Sequence, residues 1–288
     1  MKKASFLLSA AIIFLVSKAS AADYCEIGAF MGNSDHRAPY ASEVTAFENS
    51  MGRHMNSVLV YWAWNDGDFP TAALNSGVRY HNGYDTKATL HLTWEPWSRL
   101  GGSDNTYSLA SIINGTHDDY ITKFAQDSKS WNDPMRLRFM HEMITPEGND
   151  KWYPWQNNPT EYVAAFNRVR QIFKDQKADN VEFVWAPNNY PFDANVIKNY
   201  YPGKENVDWL GMDGYNAGEP GNGPAWPNWQ WFDDIFWPLY HAYINNPDIF
   251  GDKPIMLAEF ASPETGGDKA SWVINAFERI KSAEYSEI

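Results

Sequence analysis

The chain has 288 residues, 36 acidic against 23 basic side chains, a net charge of −13 at pH 7 and 16% aromatic residues. A surface this acidic repels nucleic acid and anionic lipid, so no nucleic-acid partner is expected. The one cysteine, Cys25, excludes an internal disulfide, and seven histidines without ligand spacing give no reason to expect a metal or other cofactor.

Residues 1–22 read as a secretory signal: Met1-Lys2-Lys3, an apolar run from Phe6 to Val16, then small residues up to Ala21-Ala22. The apolar run falls short of the roughly twenty residues that span a bilayer, so no membrane attachment is expected. Removing the leader takes away three lysines and no acid, moving the net charge from −13 to −16. What remains is residues 23–288, expected to be one domain, secreted to the periplasm or the medium, monomeric, and suited to a neutral partner.

Seven short apolar, β-branched or aromatic runs follow, at 26–32, 57–64, 88–94, 135–141, 181–186, 207–213 and 254–260. Between them lie helical periods. Residues 118–129 carry one; 160–174 aligns Tyr162, Val163, Phe166, Val169, Ile172 and Phe173 on one face, with Thr160 placed to cap it. Residues 268–281 do the same through Trp272, Val273, Ala276, Phe277 and Ile280. Strand and helix in alternation predict a parallel sheet under helical cover. The stretch from Gly28 to Gly32 lacks the glycine spacing of a nucleotide-binding first turn, so an α/β TIM barrel of the (β/α)₈ type is predicted over a doubly wound sheet. Residues 217–227, rich in glycine and proline, read as a loop after the sixth strand. The sequence ends at Glu287-Ile288, where an eighth strand would begin, so the barrel is expected to lack its eighth strand and helix at the C-terminus, with a gap between strands one and seven.

In such a barrel the chemistry gathers at the C-terminal strand ends. Polar residues stand there in Thr93-Trp94-Glu95, His141-Glu142, Asn188-Asn189, Asp213-Gly214-Tyr215-Asn216 and Glu259. Glu142 and Glu259 end the fourth and seventh predicted strands. Glycoside hydrolysis needs one carboxyl to protonate the leaving oxygen and a second to meet the oxocarbenium-like carbon; a gap of about 5–5.5 Å gives retention and a wider one inversion. Either glutamate alone is as easily read as an ion-pair partner of Arg136 or Arg138; the pair together favours the chemical reading. Tryptophans in Trp152-Tyr153-Pro154-Trp155 and in the run from Pro224 to Trp231 sit among Gly, Pro and Asn, which suits rings stacked on sugar faces better than a core.

The run Arg138-Phe139-Met140-His141-Glu142-Met143, the Trp152 to Trp155 segment, Val184 to Asn189 (VWAPNN), Val207 to Asn216 (VDWLGMDGYN) and Pro254 to Phe260 (PIMLAEF) together resemble glycoside hydrolase family 26, the β-mannanase family of clan A. The resemblance implies Glu142 as acid/base and Glu259 as nucleophile. It further implies that His141 contacts the sugar, that Arg138 and Tyr215 hydrogen-bond near the nucleophile, and that Trp94, Trp152 and Trp185 line the groove. Two departures stand out. The insertion from Ile144 to Lys151 lengthens the loop before Trp152, and no eighth strand supplies the tryptophan that family members place under the scissile sugar. The expected function is thus retaining hydrolysis of a plant-type β-glycan polysaccharide, with β-1,4-mannan first and mixed-linkage β-1,3-1,4-glucan (lichenase activity) as the alternative. A non-catalytic glycan-binding barrel would keep the tryptophans and need neither carboxylate.

Overall fold

The computed structural model describes residues 25–31, 38–81, 84–85, 88–98, 106–145, 151–189, 193–218 and 228–288. The expected signal at 1–22, most of the 144–151 insertion and most of the 217–227 loop lie outside these residues.

All seven anticipated strands form, within a few residues of their expected bounds: β1 Gly28–Phe30, β2 Ser57–Ala63, β3 Thr89–Glu95, β4 Met135–Phe139, β5 Val181–Trp185, β6 Trp209–Tyr215 and β7 Ile255–Ala261. They pair in parallel and in chain order, with β1 and β7 at the two edges. The architecture is that of a (β/α)₈ barrel through its seventh unit, and among the described residues no strand joins β7 to β1. The sheet is curled: the Tyr61 hydroxyl on β2 and the Arg138 guanidinium on β4 both donate to Glu259 on β7. At β7 the backbone N–H of Ile255 donates to the carbonyl of Glu287, 3.3 Å away.

Helices cover the outer face: α1 Ala41–Met51, α2 Asp118–Trp131, α3 Pro159–Gln176, α4 Ala194–Asn199, α5 Phe232–Ile244 and α6 Lys269–Ile280. None among the described residues is long and apolar enough to cross a membrane. In α2 the buried residues Ile121, Phe124, Ala125, Ser128 and Trp131 recur at helical spacing, and each large apolar side chain so buried contributes about 1.5–3 kcal/mol. Asp118 and Asp119 in its first turn favour the positive end of the helix dipole. The cap of α3 is Asn158, whose side chain accepts from the Glu161 N–H, rather than Thr160. Pro159 explains the difference: it occupies the first helical turn, where its missing N–H costs nothing, so the helix starts one residue earlier than expected and its cap lies two residues before Thr160. On β6, a Cβ at Gly214 would fall 2.7–2.9 Å from Ile235 and Phe236, so the absent side chain lets α5 sit tight against the strand that carries Asp213 and Tyr215.

Candidate active site

Strand alternation decides which side chains enter the barrel. On β3, Thr93 turns inward to Arg138; its neighbour Trp94 therefore turns outward, fully buried and stacked 4.3 Å from Phe124 of α2. On β5, Val184 and Ala186 pack together with Ala258, which sends Trp185 out against Tyr201, Tyr243 and Phe250. Both tryptophans are core residues, and the expectation that they line a groove is corrected. Trp152 remains at the surface, 39% exposed, beside Glu142, whose carboxyl it slightly favours in the ionised form.

The end of β4 departs from strand geometry. Met140 and Glu142 both have left-handed φ angles, 51° and 49°, which non-glycine residues adopt rarely and at a cost, and they flank His141. Buried donors satisfy the three carbonyls of this turn. Tyr162 Oη donates to Met140 O at 3.0 Å, Trp155 Nε1 to His141 O at 2.7 Å and Gln156 Nε2 to Glu142 O at 2.7 Å. The Glu142 N–H completes the set by donating to Ala186 O at 2.9 Å. Trp155 and Gln156 thus act as struts for the turn, so the run 152–155, expected to be a sugar platform, is in part a support.

Glu259 reaches the interior through a register shift between β6 and β7 beside Met212 and Asp213, where an extra residue re-aims the side chain. It accepts hydrogen bonds from Tyr61, Tyr215 and Arg138. Arg138, fully buried, also donates to Asp213 Oδ1 at 2.8 Å and to Thr93 Oγ1 at 2.7 and 2.9 Å. His141 Nε2 lies 3.2 Å from Tyr153 Oη and 3.9 Å from Glu259 Oε1. One carboxylate oxygen each from Glu142, Asp213 and Glu259 fall within 4.8 Å of one another. These three could offer ligands to a cation, but the Arg138 guanidinium already lies against two of them, so the cluster is built round a protein cation.

The two glutamates have opposite proton affinities. Burial, reinforced by the charge of Glu259 and opposed by Arg138, raises the Glu142 pKa to about 7, and buried Glu95 adds a small push in the same direction. Burial also works to raise Glu259, yet Arg138 and the hydroxyls of Tyr215 and Tyr61 overcome it and hold Glu259 at about 2. Burial and then Arg138 lower His141 to about 3, so its ring is neutral near pH 7 and adds no cation there. Asp213, enclosed completely, is pushed upward by burial against the pull of Arg138. Near pH 6 the site therefore pairs a protonated Glu142 with an ionised Glu259.

A family profile described as Glycosyl hydrolase family 26 matches residues 103–242. Endoglucanase H of Acetivibrio thermocellus is 34% identical over 291 residues, an alignment that takes in 97% of this chain. The chain belongs to glycosyl hydrolase family 26. A second relative, mannan endo-1,4-beta-mannosidase A and B of Caldalkalibacillus mannanilyticus, is 23% identical over 218 residues and 70% of this chain. The chain spans 29% and 35% of the lengths of these two proteins. Among solved structures, the catalytic domain of the Bacillus sp. JAMB-750 GH26 endo-beta-1,4-mannanase superposes with a TM-score of 0.63 at 18% identity, covering 91% of this chain and 75% of that one. The modular endo-beta-1,4-mannanase of Cellulomonas fimi gives 0.61 at 17%, covering 83% and 57%. These two likenesses carry the fold.

Of the site residues anticipated from sequence, Glu142, Glu259, His141, Arg138, Trp152 and Tyr215 converge on one cleft, and Trp94 and Trp185 do not. Sequence reading passes over Tyr61 and Gln156, and it names Thr93, Asp213 and Tyr153 only within strand-end or aromatic runs, with no role of their own. Tyr61 and Thr93 were within reach, since each lies on the inward face of a strand whose end had already been singled out or predicted. Tyr153 and Gln156 sit on a loop, where no periodicity shows direction.

Proposed function

We propose that this family 26 glycosidase is a retaining endo-β-glycosidase with Glu142 as acid/base and Glu259 as nucleophile. The observation that carries the reading is the pair itself: carboxylate oxygens within 4.8 Å, one group held protonated to about pH 7 and the other ionised to about pH 2. Two carboxyls set about 5–5.5 Å apart leave no room for the water that inversion needs between them.

In the first step a Glu259 oxygen attacks the anomeric carbon and the bond from that carbon to the glycosidic oxygen breaks. The Glu142 proton passes to that oxygen, which leaves as an alcohol. In the second step ionised Glu142 takes a proton from water, the water oxygen bonds to the anomeric carbon, and the ester to Glu259 breaks with the carboxylate restored. Arg138, Tyr61 and Tyr215 keep Glu259 ionised for attack and accept it back as a leaving group. Tyr153 orients the neutral His141 ring beside them.

For the backbone we assign a β-glucan, with the mixed-linkage form as the first test. Support comes from the 34% identity to a protein named as an endoglucanase, over 97% of this chain, against 23% to one named as a mannosidase. Mannan is the second reading, favoured by that latter relative. Reducing-sugar release from mixed-linkage β-1,3-1,4-glucan, β-1,4-mannan and β-1,3-xylan decides between them; release from mannan alone overturns the glucan assignment. Product anomers followed by proton NMR test retention, and a first product of inverted configuration overturns the mechanism. We also infer secretion, on the strength of residues 1–22.

A further inference from the structure

Among the described residues, Trp231 at the end of the tryptophan run takes no part in the carboxylate cluster. Trp231 immediately precedes α5, on the loop side of the barrel that also carries the cleft, and 45% of it is exposed. It forms one wall of a shallow groove of about 390 Å³ whose other lining residues are Ser271, Ile274, Asn275 and Glu278. Those four recur at helical spacing along one face of α6, so the groove runs along the helix.

The backbone that carries the ring is held in place on both sides. Gln230 N–H donates to Asn216 Oδ1 at 3.0 Å, Gln230 O accepts from Trp272 Nε1 at 2.9 Å, and the Trp231 N–H donates to Asp234 Oδ2 at 2.9 Å. Its neighbour Trp229 lies edge-on to it, 6.2 Å between centroids, over Gly267, where a Cβ would come within 2.5–2.6 Å of the Trp229 ring. A fixed, half-exposed aromatic ring gives up little conformational freedom when a ligand stacks on it. Opposite it stand a hydroxyl, an amide and a carboxylate, and the Asn275 amide oxygen is buried with no hydrogen-bond partner. A flat apolar platform beside hydroxyl, amide and carboxylate groups is the chemistry that recognises a pyranose, with its apolar C–H face and its rim of hydroxyls.

We propose that the groove between Trp231 and α6 is a second, non-catalytic sugar-binding site that holds a stretch of the same polysaccharide outside the cleft. The proposal rests on the reading of the substrate as a polysaccharide. The site would retain polymer without touching the bond being cut.

Two measurements test it. The first is retardation in native gels containing mixed-linkage glucan or mannan, using Glu259→Ala as the background so that the gel polymer is not digested. The second is turnover of a short aryl oligoglucoside or oligomannoside by the otherwise unaltered enzyme. Trp231→Ala should weaken retardation about tenfold, the scale of losing one aromatic anchor, and Asn275→Ala should weaken it less. Trp231→Phe should keep most of it, and turnover of the short substrate should not change in any of the three. Matching circular dichroism and melting temperature show that the variants fold. Retardation unchanged in Trp231→Ala, or no retardation of the parent by either polymer, overturns the second site whether or not the aryl substrate is cleaved. Retardation that depends on Trp231 without cleavage of any aryl substrate would instead support the groove and overturn the catalytic reading.

Discussion

The side-chain amide of Gln156 donates to the backbone carbonyl of Glu142 at 2.7 Å, while its own carbonyl accepts from the N–H groups of Trp152 and Tyr153 and from Thr145 Oγ1. One fully buried side chain therefore ties the turn that carries the proposed acid/base to the loop that carries Trp152. Gln156→Ala should strip partners from several buried groups at once, each costing about 1–3 kcal/mol. We expect the melting temperature to fall by roughly 2–4 °C for each kcal/mol lost. We also expect kcat to drop at least tenfold, because a left-handed turn without its strut no longer aims Glu142. A variant with unchanged kcat would mean that the turn holds itself.

Glu259→Ala should abolish turnover of every substrate, because no group remains to bond to the anomeric carbon. Glu142→Ala should still cleave an activated aryl glycoside in the first step, where the leaving group needs no proton, and then stall. Added azide should restore the second step and yield a glycosyl azide of retained configuration. Equal loss by both variants on the aryl substrate would overturn the assignment of roles.

Much of this was legible before any coordinates, and the reason is physical. Seven apolar runs could be read as strands because each is bounded by polar or turn residues, and Glu142 and Glu259 stand where barrel loops converge. Period-two alternation turns Trp94 and Trp185 outward when Thr93 and Val184 face inward, whereas the groove expectation rests on the resemblance and not on the pleat. The orientation of His141 could not be read, because the left-handed residues Met140 and Glu142 break the strand period on either side of it. Nor could the aim of Glu259, which depends on a register shift opposite Asp213 that no local pattern announces. The short loop residues Tyr153 and Gln156 carry no periodic signal, so their contacts to His141 and Glu142 appear only in three dimensions.

The raised pKa of Glu142 links activity to stability. In the proposed role of acid it must be protonated, so kcat/KM should fall as pH rises through about 7. Its folded pKa lies above the ordinary value of 4.5, so the stability it contributes is complete below about pH 4.5 and is lost as pH rises through about 7. That interval corresponds to roughly 3 kcal/mol, an upper bound because Glu142 is partly exposed. Glu142→Gln mimics the protonated form at all pH values. It should match the wild type in denaturant melts at pH 4 and exceed it by about 1–3 kcal/mol at pH 8. A variant no more stable at pH 8 than the wild type would show that the carboxyl is not strained by its surroundings.

Arg138 is the counterweight that keeps Glu259 ionised, and its removal should be visible in the acid limb of the pH profile. The guanidinium is fully buried and serves two carboxylates, Asp213 through Nη1 and Glu259 through Nη2, besides Thr93. Arg138→Met leaves both acids enclosed without a cation, which should cost about 3–5 kcal/mol. Burial then acts on Glu259 opposed mainly by the Tyr215 and Tyr61 hydroxyls, and its pKa climbs from about 2 toward the ordinary 4.5. The wild-type contribution of this group is present above about pH 4.5 and lost as pH falls through about 2, so the stability deficit of the variant should be largest near neutrality and shrink in acid. Its kcat/KM should decline below about pH 5, where that of the wild type is still level as far as this group is concerned. Arg138→Lys retains the charge but not the fork that reaches two carboxylates, so its limb should fall between the two. Adding Asp213→Asn to Arg138→Met removes one uncompensated acid, and the double variant should be more stable than the sum of the single losses. An acid limb that stays put in both arginine variants would mean that Tyr61 and Tyr215 alone hold the nucleophile ionised.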